Sequence, residues 1–320
     1  MSEYKTLFGK AVKALASDPT DAGAEGQIWY NTTTGSFRTV LATGAWTAGG
    51  AVNTARYGTA GAGTQTAALI AGGFPNPVTA ATETYDGTSW TEVGDLTTAR
   101  MYIGGSGTQT AALATGGDQY PAPRYSVLVE EYNGTSWSEQ NDLPTQNKNM
   151  GTCGTQTATL SFGGSTPAAT NVTNLYDGTN WTNTGHNLNT SRFSLRGAGT
   201  STAALANGGS PVLTTTEEYD GSSWTSVTSS PSGFDAHSSA GTQSAAAMFG
   251  GFPNPTVTTS HYDGTTWSSA PNLGTGRYYA SLGPIGTQSS ALFASGNTGT
   301  VTPATEEFTT APTTRTFTTS

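Results

Sequence analysis

The strongest constraint on this chain is a segment that returns six times. GTQTAALIAGG begins at Gly63 and recurs as GTQTAALATGG at Gly107, GTQTATLSFGG at Gly154, GTSTAALANGG at Gly199, GTQSAAAMFGG at Gly241 and a worn GTQSSALFASG at Gly286. The steps are 44, 47, 45, 42 and 45 residues. A second element keeps pace with it. TYDGTSW ends at Trp90, EYNGTSW at Trp137, LYDGTNW at Trp181, EYDGSSW at Trp224 and HYDGTTW at Trp267, and Glu307-Phe308 stands where a sixth should begin. A fixed period of this size marks an array whose units bury their apolar faces against one another.

Each unit reads as four short strands. A polar stretch ending in a basic residue (Arg56, Arg100, Arg192, Arg277) leads into a small-residue strand such as YGTAGAG. The GTQT turn joins it to a second strand, AALIAGG, whose small apolar residues suit burial on both faces. A loop of varied sequence follows, then a third strand ending in Tyr. Asp-Gly or Asn-Gly supplies the tight turn, and the Trp opens the fourth strand. Four strands per unit at this spacing predict an all-β propeller.

Composition agrees with this. The 42 Gly oppose a helical bundle, and the 7 Trp, 13 Tyr and 11 Phe give a core that charge-driven disorder lacks. The net charge of −9 argues against nucleic acid as a partner. No run approaches the roughly 18 to 20 apolar residues of a membrane helix. Lys5, Lys10 and Lys13 stand where a signal peptide would be apolar, so a soluble protein without membrane insertion is expected. The one cysteine, Cys153, excludes an intramolecular disulfide.

Both ends must be fitted into the ring. Leu41 to Trp46 repeats the five-residue step from Tyr85 to Trp90. Residues 37 to 48 therefore read as third and fourth strands of a divergent first unit, with Gln27 to Tyr30 as its second strand and Ala11 to Leu15 as its first. Arg315 to Ser320 would be the fourth strand of the last unit. This gives seven blades in one domain over residues 9 to 320, behind an arm of residues 1 to 8. The alternative has six blades, with the Trp46 strand completing the last unit and residues 1 to 41 outside the ring.

Variation concentrates in the loops after the second strands, which run 10 to 15 residues from the last glycine of the pair to the Tyr or Phe. They carry Phe74-Pro75-Asn76-Pro77, Phe252-Pro253-Asn254-Pro255 and, in the longest, Asp118-Gln119-Tyr120-Pro121-Ala122-Pro123-Arg124. Binding is commonly grafted on such loops, and prolines beside rings lower the ordering cost of contact. Phe74, Asn76, Asp118, Gln119, Tyr120, Arg124, Phe252 and Asn254 are the binding candidates. The competing reading is that the prolines only stiffen the loops and block edge pairing.

Catalytic readings fare worse. The Asp of YDG (Asp86, Asp177, Asp220, Asp263) gives way to Asn133 in one unit, as turn geometry permits. His186, His237 and His261 share no spacing, and Cys153 has no His near it in sequence. No nucleophile–base pair stands out, so neither an enzyme nor a cofactor or metal is expected. Glu83, Glu131, Glu218 and Glu307 recur at matched positions too, and each repeated arginine is expected to pair with a carboxylate or a backbone carbonyl of an adjacent blade rather than bind anions.

The glycine pairs followed by Tyr-Asp and Trp resemble the kelch motif of kelch-repeat propellers over residues 45 to about 310. The Tyr-to-Trp step is shorter than the usual kelch turn, and the Ala/Thr-rich strands depart from animal kelch domains. GTQTAAL, YDGTSW and NTAR units behind SDPTDAGAEGQIWYNTTTGSF resemble virion-associated tail, fibre or other structural proteins of tailed, particularly marine, bacteriophages. That resemblance implies a virion structural protein on tail or head, its partners other virion proteins or a host-surface glycan or receptor in attachment, with a homo-oligomer as one form. The alternative function is a secreted bacterial carbohydrate-binding or carbohydrate-active propeller.

Overall fold

The computed structural model describes residues 12–19 and 27–317. The chain divides into two compact units, Met1–Ala45 with Thr309–Ser320, and Trp46–Phe308. The arm assigned to residues 1 to 8 lies outside the described residues.

Three strands open the chain: β1 (Lys13–Leu15), β2 (Ile28–Asn31) and β3 (Ser36–Gly49). Five units follow. They are β4 (Ala60–Thr64), β5 (Ala67–Ala71), β6 (Thr82–Tyr85) and β7 (Trp90–Val93); β8 (Gly104–Thr108), β9 (Ala111–Thr115), β10 (Val129–Tyr132) and β11 (Trp137–Glu139); and β12 (Gly151–Thr155), β13 (Ala158–Phe162), β14 (Thr173–Tyr176) and β15 (Trp181–Asn183). Then come β16 (Arg196–Gly199), β17 (Ala204–Asn207), β18 (Thr216–Tyr219) and β19 (Trp224–Ser226), and β20 (Ser238–Thr242), β21 (Ala245–Phe249), β22 (Thr259–Tyr262) and β23 (Trp267–Ala270). The last strands are β24 (Gly286–Thr287), β25 (Ser290–Ala294) and the long β26 (Thr305–Thr316).

Five sheets are separate four-stranded antiparallel blades; the sixth runs β1-β2-β3-β26-β25-β24. Because β3 and β26 are long, each serves twice. Their Trp46–Gly49 and Thr305–Phe308 ends complete a blade with β24 and β25 in the second unit. Their other ends join β1 and β2 in the first. Seven four-stranded sets are present, as the strand count predicts, and six of them form the ring of the second unit.

Residues 37 to 48, expected as two strands, are therefore one. Ala42 occupies the place of Asp86, whose carboxylate accepts the Thr88 and Ser89 amides at 2.8 Å to make the turn. Without that acceptor the chain continues extended. Trp46 then closes the ring as the alternative required, and the fourth strand proposed at Arg315 to Ser320 is supplied by β3.

Two side chains tie neighbouring blades, each in five of the six: blade four has Ser201 in place of the Gln, and the Trp181 indole of blade three is unpaired. The Gln of GTQT donates to two carbonyls of the preceding blade: Gln109 to Ala68 (3.1 Å) and Tyr85 (2.6 Å), and Gln156, Gln243 and Gln288 likewise. Gln65 reaches Ala291 and Phe308 of the last blade. The Trp stacks on its own blade's Tyr, and its indole N–H donates back one blade: Trp90 to Thr305, Trp137 to Thr82, Trp224 to Thr173, and Trp46 to Thr259 at 3.2 Å. Trp46 thus behaves as the sixth of a set.

At the axis the small residues are required. A Cβ on Gly283 would stand 1.9 Å from the Gly61 carbonyl and 2.4 Å from that of Gly105, so backbone fills the centre there. In the first unit, Asp18 accepts from the Trp29 indole (3.0 Å), the Asn31 amide (2.7 Å) and the Arg38 guanidinium. Asn31 foremost holds that carboxylate below its ordinary range.

Candidate binding face

The arginines prove structural. Arg56 meets Glu83 at 2.5 Å, Arg100 meets Glu130 and Arg277 meets Glu306 at 2.8 Å, and Arg192 pairs with Glu217. Each pair lies within one blade, not across two as expected. In blade three Asn147 and Asn174 replace both partners, and in blade five Phe234 and Ser260 do. Of the glutamates picked out in the sequence only Glu83 is an arginine partner. Glu131, Glu218 and Glu307 point to the other side of the sheet and accept the phenols of Tyr176 (3.0 Å), Tyr262 (2.9 Å) and Tyr85 in the following blade. Burial, with Glu307 adding to it, pushes the Tyr85 phenol up to about 12.

Just beyond each arginine position the chain turns left-handed. Gly58, Tyr102, Asn149, Ser194, Ala236 and Tyr279 have φ from 51 to 72°, one per blade. Each amide donates to the equivalent carbonyl of the preceding blade, from Tyr102 to Gly58 (2.6 Å) round to Gly58 to Tyr279 (2.6 Å), which closes a ring of six hydrogen bonds. Five of the six are not glycine, a conformation that costs roughly 1–2 kcal/mol per residue. The ring of bonds offsets it.

Around this ring lie two further sets of positions. Tyr57, Met101, Lys148, Phe193, Asp235 and Tyr278 precede the left-handed residues; Phe74, Asp118, Ser165, Ser210, Phe252 and Asn297 follow the glycine pairs. The sets face one another through bridges such as Tyr57 with Phe74 and Asp235 with Phe252. A scaffold that repeats its Gln, Tyr and Trp almost unchanged presents a different triplet here in every blade.

Aromatic rings dominate the face. An unbroken series runs Tyr120, Phe74, Tyr57, Tyr102, Tyr279, Tyr278, Phe252, with successive centroids 4.9 to 6.1 Å apart. The loop candidates stand at its ends. Tyr120 is 46% and Phe252 42% exposed, Asn76 and Asn254 are exposed, and Gln119 is half-buried. Arg124 lies 5.2 Å over the Tyr120 ring. Asp118 is different: it is wholly buried and accepts from Arg124 (3.0 Å) and Lys148 (2.6 Å), so it anchors the loop instead of meeting a partner.

A cavity of ≈ 190 Å³ opens between blades four, five and six, lined by Phe193, Ser210, Asp235, Ala236, Phe252, Tyr278 and Tyr279. Asp235 is 8% exposed, and its Oδ1 has no hydrogen-bond partner. Burial raises its carboxyl, while Arg196 and the Ser210 and Ser194 hydroxyls draw it back. Arg196 occupies a position filled by Ala60, Gly104 and Gly151 in the first three blades. It donates to the Leu195 carbonyl at 2.7 Å and leaves Nε and Nη2 unpaired; burial pulls it down to about 10. His237 beside it is buried with both ring nitrogens unpaired, and burial holds it well below its ordinary value.

Sequence reasoning missed Tyr57, Tyr102, Phe193, Asp235, Tyr278 and Tyr279. The signal was present: they are the residues directly after the arginine position, where the repeat stops repeating.

No protein-family model and no curated protein matches the chain. Among solved structures it is similar to one titled "Structure of YjhT", with a TM-score of 0.67 and 14% identity, covering 83% of this chain and 99% of that one. The likeness establishes the propeller fold.

Proposed function

We propose that this protein is a non-enzymatic binding propeller whose variable face contacts a host-surface glycan or a neighbouring protein subunit. One observation carries the reading: variation in length within the repeat concentrates in the loops after the second strands, and the positions around the left-handed ring beside them carry a different triplet in every blade. Scaffold positions serve the repeat, so positions that differ in every blade serve something outside it. The aromatic series supports contact with sugars or with another chain, since rings offer large area at low entropy cost. Backbone packing at Gly61, Gly105 and Gly283 favours the mouth of the ring over its axis as the place of contact. The resemblance of the repeats and of the Gly26-to-Asn31 sequence to virion-associated proteins supports a phage particle as the setting of this face.

Binding of the purified protein to host cells and to their isolated surface glycans tests this. Replacing Asp118 to Arg124 with a short Gly linker is expected to weaken binding by roughly tenfold, as loss of a contact cluster should. Unchanged binding after all three Pro-rich loops are replaced, or release of reducing ends from a surface polysaccharide, would overturn the proposal.

A further inference from the structure

The cavity beside Asp235 deepens that reading and rests on it. Its walls are the rings of Phe193, Phe252, Tyr278 and Tyr279, and its polar groups are Ser210 and Asp235. We propose that it is a subsite for one uncharged sugar ring, whose apolar face lies on Phe252 and whose hydroxyls donate to the Asp235 carboxylate.

Three observations lead there. Asp235 lines the cavity and is 8% exposed; its Oδ1 has no hydrogen-bond partner, and the Ser210 and Ser194 hydroxyls that act on the carboxylate leave part of its roughly four lone-pair sites open to a donor. Each sugar hydroxyl supplies one O–H, and a carboxylate accepts two side by side. Second, the charges cancel. Arg196 and Asp235 act on one another with opposite sign, and His237, held neutral by burial, adds nothing. A cation would gain from the rings and Asp235 but is opposed by Arg196; an anion meets Asp235 at the wall itself. An uncharged polyol loses nothing to either. Third, the volume of ≈ 190 Å³ falls below the roughly 300–1,000 Å³ of pockets enclosing drug-sized ligands, which leaves room for a single ring.

The probes are D-glucose, D-galactose and D-mannose, read by saturation-transfer NMR and titration on the full chain, with choline and D-glucuronate as charged controls. At least one hexose should bind, and each charged control at least about tenfold more weakly. Phe252 is exposed, so Phe252→Ala should keep its near-ultraviolet circular dichroism while weakening the hexose roughly tenfold; Asp235→Asn should weaken it by a similar factor. The subsite is ruled out by silence of all three hexoses, by choline binding more tightly, or by Phe252→Ala leaving affinity within about twofold. Cell binding measured on the same sample separates the failures. Cells bound without any hexose response sink the subsite alone, whereas loss of both sinks the binding-face reading as well.

Discussion

Arg100 and Glu130 are both fully buried and 2.8 Å apart, and Glu130 also accepts the Thr97 amide at 2.6 Å. Removing one partner leaves a buried charge alone, so Arg100→Asn should cost about 3–5 kcal/mol by urea unfolding. Arg100→Asn with Glu130→Asn, which copies the Asn147 and Asn174 of blade three, should recover much of that loss. The sequence makes the coupling of Arg to Glu visible, since both partners vanish together in two units. Adjacent Glu130 and Glu131 are indistinguishable in composition, and only strand alternation sends one to the arginine and the other to Tyr176. His237 gives a pH-dependent counterpart. Buried beside Arg196, with its pKa held well below the ordinary value, it stays uncharged in the folded state while the unfolded chain takes up a proton below about pH 6.5. Stability is therefore unaffected by it above that pH and falls as pH drops, by up to about 1.4 kcal/mol per unit. Comparing urea midpoints at pH 7.5 and 5.5, wild type should lose that much more than His237→Leu; equal losses would show that the imidazole charges in place.

Between strands, the clearest lesson comes from the one unit that lacks its clamp. Gln109 donates to two carbonyls of the preceding blade, and Gln109→Ala should cost about 1–3 kcal/mol because both carbonyls lose their donor. In blade four the turn reads GTST, and Ser201 cannot span to the carbonyls of Thr159 and Tyr176. Ser201→Gln should therefore raise stability by about 1 kcal/mol, seen as a higher melting temperature. Strands, turns and their order were all legible here because each repeat states its own period, turn residues and cap. What stayed hidden was β3: its five-residue step imitates a hairpin, but Ala42 lacks the acceptor that turns the chain at Asp86. The mouth was hidden for another reason. Its residues sit in no motif, and their convergence depends on the ring's closure, which brings Tyr57, Tyr102 and Tyr279 together from units more than 40 residues apart.

For the whole ring, closure depends on one borrowed segment. Trp46 lies 5.3 Å from Phe308 and 4.9 Å from Phe249, and its indole donates to Thr259 in the blade before. Phe308 in turn offers its carbonyl to Gln65 at 2.7 Å, and Thr305 receives the Trp90 indole at 3.1 Å. Blade six thus holds blades five and one, and its outer strand comes from the opposite end of the sequence. Trp46→Ala should cost roughly 3 kcal/mol, the low end for an aromatic truncated to alanine, because Trp46 is only partly buried. Its distribution is the sharper test. If Trp46 closes the ring, amide exchange should quicken at Thr305–Phe308 and spread to β4 and β22, while β12 and β13 across the ring stay protected. Trp29→Ala, acting in the other compact unit, should leave ring exchange as it is. Unchanged protection at Thr305–Phe308 in Trp46→Ala would mean that the last blade stands without its fourth strand.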